Sequence, residues 1–460
     1  MRAAELGARR VAIWGLAREG RATVGLLRKI HPQLPLMVLD DDANARAPEG
    51  FGDGIEWVFG ADRIASALLK ADVLVKSPGV SLYRREIRSA RQRGLEVTSL
   101  LNLWFAEHPT LKTICVTGTK GKSTTSSLIA HMLKVLGHQV ALAGNIGVPI
   151  TEINGGSADY AVIEVSSHQA ADFDGSCEAA VLTSLYPEHL DWHVTVENYF
   201  RDKINLIDRG RRRIVNREAA GLVAELTGGL PSCTYQFNDE EAIHHRDGKI
   251  FDGGRLLGRV SNRYLARPHN ASNLCAALAT LRSFEIDPAA ALETVGGFQG
   301  LPHRQQELGM VEGLLFVDDS ISTIPEATLA ALAVYAGRQI TVIVGGYDRG
   351  VDYSKLVETV SQGAARTLIC LGDSGHRICA LARTAATTRS DFNCAILESR
   401  SMGDAVSLAK RVTPSGGVVL LSPAAPSYGS YRDYIERGRD FAAQAGLLPA
   451  PEGSSHSDAE

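Results

Sequence analysis

Short runs of apolar, largely β-branched residues recur along this chain, and each gives way to a glycine, serine or acidic turn before a longer helical stretch. VAIWG, LMVLD and DVLVKSPG open it, TICVTG and YAVIEVSS occupy the middle, and LLFVDDS, TVIVGG, TLICLGD and GVVLLSP lie towards the end. A run that is apolar at every position fits a strand covered on both faces, and a helix between consecutive runs requires a crossover to a parallel neighbour. The pattern therefore predicts an α/β chain of mainly parallel sheets. Its recurrence in three blocks predicts three domains, 1–108, 109–300 and 301–460, with a disordered tail at 449–460. A length of 460 residues agrees with about three cores.

Composition narrows the function. The chain is 45% hydrophobic and 22% charged with a formal net charge of -4, so nothing in the overall balance points to nucleic acid. The cluster Arg209 to Arg213 reads as a solvated loop. No apolar stretch is long enough to insert in a membrane, the N-terminus does not read as a secretory signal, and the seven cysteines are never spaced C-x-x-C. A cytoplasmic monomer follows as the expectation. The polar stretch 231–259, with its DGGR and HRDGK turns, reads as a hairpin insertion.

In parallel sheets ligands gather at the carboxyl ends of the strands. Ser77 to Gly79, Gly118 to Thr124, Glu164, Asp319, Gly346 and Ser422 to Ser427 all follow a predicted strand. Of these, TICVTGTKGKSTTSSLIAHML carries the strongest chemistry. Gly118 and Gly121 let the amides of Gly118, Thr119, Lys120 and Gly121 curl around phosphate oxygens at a helix N-terminus. Lys122 would reach the outer phosphates, and the Ser123 or Thr124 hydroxyl would ligate Mg²⁺. The loop is a short form, G-x-x-G-K-[ST], because Val116 stands where a longer phosphate loop needs its first glycine. Glu164 ends an apolar strand, where a carboxylate is costly without a cation or a polar partner; Mg²⁺ takes oxygen ligands, and a capping carboxylate is the alternative. Taken alone, His189 reads as an ordinary loop histidine and Lys203 as a solvated helix lysine.

With these motifs in order, the chain resembles the Mur ligase family over nearly its whole length. The residues that carry the resemblance are GTKGKST, GNIG, the E-x-SS-x-Q stretch, HLD with its downstream lysine, and HN-x-x-N at His269, Asn270 and Asn273. PHR at Pro302 to Arg304, DDS at Asp318 to Ser320 and the late LLSPAAPS complete the set. The resemblance implies Rossmann-like N- and C-terminal domains around a P-loop ATPase-like centre. It implies ATP and two Mg²⁺ ions, with Ser123, Glu164, His189 and a carbamylated Lys203 as metal ligands and Lys122, His189 and Lys203 as catalytic groups. Asn273, Arg304 and Asp319 would hold the adenine nucleotide. Ala17, Arg18, Glu19, Asp40, Gly79, Asn145 and Gln169 would bind a UDP-linked muramoyl substrate. The implied reaction activates that substrate's carboxylate as an acyl-phosphate and couples it to an amino acid.

The chain is most similar to the branch of the family that adds glutamate to UDP-N-acetylmuramoyl-L-alanine, but it departs in the last domain. Ile321 and Ile324 stand where the branch usually has a lysine and an asparagine, and Arg349 replaces a lysine. The expected amino-acid site is Thr323, Arg349, Ser427, Tyr428 and Tyr434, with Tyr431 nearby. DDSIST and SPAAPSYGSY resemble a variant group that adds L-glutamate and relies on a separate epimerase; D-glutamate remains the alternative. In the first domain, Asp40-Asp41-Asp42 departs from the usual aspartate, threonine and arginine, which leaves the UDP contacts open. Folylpolyglutamate synthases lack a domain like the one carrying VAIWGLAREG and VKSPGVS. A nucleotide-switch ATPase would need a partner surface that is not evident. A dehydrogenase would need G-x-G-x-x-G, and the first turn is G-L-A-R-E-G.

Overall fold

The apolar runs do become strands. The computed structural model describes all residues except 49, 52, 147, 154–156, 263, 390–391 and 449–460, so the expected tail lies outside the described residues. The chain forms three α/β sheets, mostly parallel, in two compact units, Met1–Phe298 and Gln299–Glu460. No described helix is long and apolar enough to cross a membrane.

The first unit holds two of the sheets. In the first, five parallel strands run in the spatial order Ile55–Phe59, Leu36–Asp40, Val11–Trp14, Val73–Lys76 and Glu96–Thr98. The first strand in sequence lies in the middle, and the order reverses beside it. A crevice opens at such a switch point, above the ends of Val11–Trp14 and Val73–Lys76. Gly15 turns there at φ 96, and a Cβ on it would come within 2.8 Å of Ser77 Cβ, so only glycine lets the two loops approach.

The second sheet has nine strands. Its centre runs Gly210–Asn216, Cys177–Leu182, Lys112–Thr117, Tyr160–Glu164 and Val140–Gly144, all parallel. Alternate residues of these strands enter two cores. Ile114, Val116, Val162 and Val181 pack with the helices Lys122–Val135 and Pro268–Ser283, and Cys115, Ile163 and Leu182 pack on the other side. Both faces are covered, which is why the sequence shows no polar alternation. The polar stretch 231–259 forms the expected hairpins, but not apart from the central sheet. Its turns make antiparallel strands, but these extend the edge of the same sheet beyond Thr234–Phe237. The basic cluster is also corrected: Gly210–Asn216 is a strand, and Arg212 and Arg213 pair with Glu178 and Asp208 on neighbouring segments.

A buried ion pair joins the two sheets of this unit. Lys76, at the end of its strand, meets Asp172 at 3.1 Å, with both side chains essentially removed from solvent. Burial pushes the Asp172 carboxyl above its ordinary range even against Lys76. Around the pair, Trp192 Nε1 donates to the Pro78 carbonyl (2.9 Å) and Ser81 Oγ to the Trp192 carbonyl (2.7 Å).

The second unit is a six-stranded sheet ordered Gln306–Val311, Leu314–Asp318, Val418–Leu421, Ile340–Val344, Thr367–Leu371 and Ala395–Ser399. Only Gln306–Val311 is antiparallel. Removing one member of the Lys76–Asp172 pair strands a buried charge. Lys76→Met should lower unfolding free energy in urea by about 3–5 kcal/mol. Lys76→Met with Asp172→Leu should recover most of that loss; equal losses in both would show that the ion pair contributes nothing specific.

Candidate functional site

The phosphate loop follows the central strand Lys112–Thr117. Gly118 sits at φ 145, where an added Cβ would lie 2.0 Å from Thr183 Oγ1, and Gly121 at φ 89, where one would lie 2.2 Å from Asn273 Oδ1. The loop is thus pressed between Thr183 and Asn273, and neither position admits a side chain. Lys122 begins the helix Lys122–Val135, whose N-cap Gly121 offers no side-chain cap, leaving helix N–H groups for an anion. Lys122 Nζ folds back to the carbonyls of Gly118 (2.9 Å) and Thr119 (3.0 Å). Thr119 Oγ1 meets Tyr199 Oη at 2.8 Å, and Lys120 Nζ pairs with Glu188 at 2.6 Å. Ser123 is half-buried and Thr124 buried.

Lys203, expected from the residues alone to be solvated, is instead 1% exposed. Its helix, Val196–Asp208, brings Nζ to 2.9 Å from the Gly118 carbonyl, the same oxygen that Lys122 contacts. Burial, reinforced by Lys122, holds the Lys203 ammonium well below its ordinary range. Glu164 is also buried, and its Oε2 has no hydrogen-bond partner. A buried carboxylate oxygen of this kind fits a cation. Among the described residues no three His, Cys, Asp or Glu side chains converge to hold a metal by themselves. A site here would therefore draw on hydroxyl and phosphate oxygens too, as suits Mg²⁺.

His189 adopts a left-handed backbone at φ 54 and leaves its ring half-exposed, 5.1 Å from that of His168. Burial lowers its pKa, which leaves a ring lone pair available. Several partners were not foreseen. His193 is fully buried, with Nδ1 at 2.5 Å from Asp202 and Nε2 at 3.0 Å from Ser167 Oγ; Tyr83 Oη donates to the same Asp202 (3.0 Å). Thr183 Oγ1 lies 2.6 Å from the Lys120 carbonyl. Thr183 was discoverable, since it directly follows the strand Cys177–Leu182. The His193 cluster was not, because its members come from separated segments.

The expected residues of the first unit line two clefts. One, of about 540 Å³, is lined by Ala17, Arg18, Glu19, Asp40, Gly79, Asn145 and Gln169 together. Gln169 Nε2 donates to Glu19 (2.7 Å), and Asp40 accepts from the backbone N–H groups of Leu16 (2.8 Å) and Asp42 (3.1 Å). His168 also lines it, its pKa pushed down to about 3 by burial and by its histidine neighbours. The other cleft, of about 770 Å³, borders Lys120 and Gly121 and includes Asn216, His269 and Asn273.

The remaining expected residues belong to the second unit. Asp319 accepts from Ser322 Oγ (2.6 Å), Ser422 Oγ (2.7 Å) and the Gln305 N–H (3.1 Å), and burial still pushes it up to about 6. Arg304 is exposed and acts on Asp319 through its charge. Arg349 donates to the Thr323 carbonyl at 2.9 Å, Ser427 is buried, and Tyr428 is exposed with its ring 6.4 Å from that of Tyr347. Tyr434 opens the helix Tyr434–Ala445 with its ring 5.9 Å from His303, and Tyr431 donates to Asp440 (2.6 Å). Arg437 was missed altogether. It is 2% exposed and donates to Ser320 Oγ (3.0 Å) and to the carbonyls of Ser320 (2.8 Å) and Ala425 (3.0 Å).

A glycine loop between a buried strand and an uncapped helix, with two lysines on one loop carbonyl, defines a nucleotide-phosphate-binding α/β protein. Comparison with known proteins carries this further. Residues 116–281 match the Mur ligase middle domain, and 9–99 match the Mur ligase MurD-like N-terminal domain. A UDP-N-acetylmuramoyl-L-alanine–L-glutamate ligase of Xanthomonas axonopodis pv. citri (strain 306) is 39% identical, with 98% of each chain covered. One of Salinispora tropica is 40% identical over 96% of this chain and 98% of its own. Among solved structures, MurF from Acinetobacter baumannii has a TM-score of 0.58 at 14% identity, covering 95% of this chain and 90% of that one. MurC from Thermotoga maritima has a TM-score of 0.54 at 18% identity, covering 95% and 99%; these likenesses concern the fold alone.

The chain belongs to the Mur ligase family. It is an ATP-dependent ligase of peptidoglycan precursor synthesis.

Gly118→Ala tests the loop. The new Cβ would displace Thr183 or the loop by more than an ångström, so ATP-dependent turnover should fall about 100-fold or more while circular dichroism stays unchanged. Wild-type turnover would mean that this close approach is dispensable.

Proposed function

We propose that the chain couples L-glutamate to UDP-N-acetylmuramoyl-L-alanine through an acyl-phosphate, with Lys203 carbamylated. The observation that carries this is the buried Lys203 amine against the Gly118 carbonyl, in a site that also holds the unpartnered Glu164 oxygen. An amine held neutral is the form that adds CO₂, and carbamylation converts Lys203 from a donor into a carboxylate able to bind a hard cation. Ser123, Glu164, His189 and the Lys203 carbamate would hold two Mg²⁺ ions, which when bound neutralise charge on the transferring phosphoryl group.

The substrate carboxylate attacks the γ-phosphorus of ATP, and the bond to the β–γ bridging oxygen breaks to release ADP. Lys122, with the loop amides from Gly118 to Gly121, offsets charge building on the phosphoryl oxygens. The glutamate amine then attacks the acyl carbon, and phosphate leaves with the former carboxylate oxygen. The 540 Å³ cleft takes the UDP-muramoyl substrate, and the cleft beside Asn273 takes the adenine nucleotide. Thr323, Arg349, Ser427, Tyr428 and Tyr434 hold the amino acid. The Arg349 guanidinium suits a side-chain carboxylate through two-point contact.

The activities named for the relatives support L-glutamate, and so do Ile321 and Ile324, which remove a cation and an amide from that pocket. An L-configured product requires an epimerase downstream. A cytoplasmic monomer, where ATP and nucleotide-linked precursors are available, completes the reading.

Two measurements test it. Lys203→Ala should lose nearly all activity and regain part of it with added short-chain carboxylates; full activity without them excludes the carbamate. Phosphate release with UDP-N-acetylmuramoyl-L-alanine should depend on L-glutamate. Release with D-glutamate alone would assign the opposite handedness and make Ile321 and Ile324 neutral substitutions.

A further inference from the structure

The 540 Å³ cleft is acidic for a site that receives a diphosphate. Its charged lining is Arg18, Glu19, Asp40 and Asp41, three acids to one cation. Two of the acids are already accommodated. Asp40 is held by two backbone N–H groups, and Glu19 by Gln169 in surroundings that favour its neutral form. Asp41 is different, because it is neutralised from outside the lining by Arg84, whose Nη1 lies 2.8 Å from its carboxylate.

Arg84 is fixed in place by more than this contact. Its guanidinium lies 4.4 Å from the centre of the Trp14 ring, and its Nη2 pairs with Glu86 at 3.1 Å. Arg84 does not itself line the cleft, but Asp41 does, so the guanidinium stacked on the buried Trp14 ring adjoins the cleft through its contact with Asp41. Its side chain is only 27% exposed. Much of the entropy normally lost in ordering an arginine on a ligand is therefore already spent. A partly exposed pair such as Arg84–Asp41 contributes little to stability, so exchanging the carboxylate for a stronger anion costs little. A diphosphate offers more charge than one carboxylate and matches the guanidinium fork.

We propose that Arg84 is a diphosphate-binding residue of this cleft, parked on Asp41 and Trp14 until the nucleotide enters and takes Asp41's place. The proposal rests on the reading of the cleft as the UDP-substrate site. It supplies the cation that the Asp40-Asp41-Asp42 loop does not.

Titration calorimetry on the full chain with UDP as the probe, and uridine as the phosphate-free control, tests it. Arg84→Ala should weaken UDP binding about tenfold or more, leave uridine binding unchanged, and leave ATP affinity at the wild-type level as a check on folding. Arg84→Lys, which keeps the charge but not the fork, should fall between, and it carries the test if the alanine variant does not fold. Asp41→Asn should bind UDP as tightly as wild type or several-fold more tightly, because the competing carboxylate is gone. A merely structural bridge would weaken binding in both variants alike, and that result overturns the proposal. So does unchanged UDP affinity in Arg84→Ala. Failure of the wild-type chain to bind UDP at all would overturn the reading of the cleft itself, and the proposal with it.

Discussion

Two lysines, one from the start of the phosphate-loop helix and one from the helix Val196–Asp208, bring their side-chain nitrogens to the carbonyl of Gly118. That convergence is possible only because Gly118 is pressed against Thr183, with no room for a Cβ, and because Gly121 is pressed against Asn273 in the same way. The rest of the first unit follows from this constraint. Of the flanking strands, Tyr160–Glu164 ends on the buried Glu164 and Cys177–Leu182 leads into Thr183, which meets the loop, and the helix carrying Lys203 must pack closely enough to bury its whole side chain. A buried amine and a buried unpartnered carboxylate oxygen are each costly, and the cost is offset when ligands complete the site.

The 540 Å³ cleft depends on a different kind of fixation. It is built from the first sheet and the central one, so its shape is only as constant as the join between them. The Lys76–Asp172 pair, the Trp192 and Ser81 hydrogen bonds and the Gln169–Glu19 contact all cross that join. Exposed pairs would leave the join mobile, whereas a buried pair tolerates little displacement because each charge depends on the other. The constancy of the cleft's shape is therefore a consequence of burial, not of the number of contacts.

The second unit repeats the logic with an arginine and hydroxyls. Asp319 is surrounded by Ser322, Ser422 and the Gln305 amide, and Arg437 clasps Ser320 to Ala425. These bonds tie the loop after Leu314–Asp318 to the loop after Val418–Leu421. Both loops carry residues proposed for amino-acid recognition. A buried network that is nearly satisfied holds such loops in one arrangement before any ligand arrives.

By itself the sequence determined the α/β class, the positions of the principal strands and the phosphate loop. Uniformly apolar runs and glycine turns are local signals, and Gly118, Gly121 and Lys122 sit next to one another in the chain. It also marked Glu164, Asp319 and Ser422, because a polar residue at the end of a buried strand or directly after one has few places to go. Tertiary structure decided the rest. Lys203 read as a solvated lysine until its helix was packed against the loop, and Arg209 to Arg213 read as a loop until neighbouring strands and acids claimed it. Arg437, the His193–Asp202–Tyr83 cluster and the Lys76–Asp172 pair left no trace in local pattern. Burial and charge pairing belong to groups far apart in the chain, and only packing brings them within reach of one another.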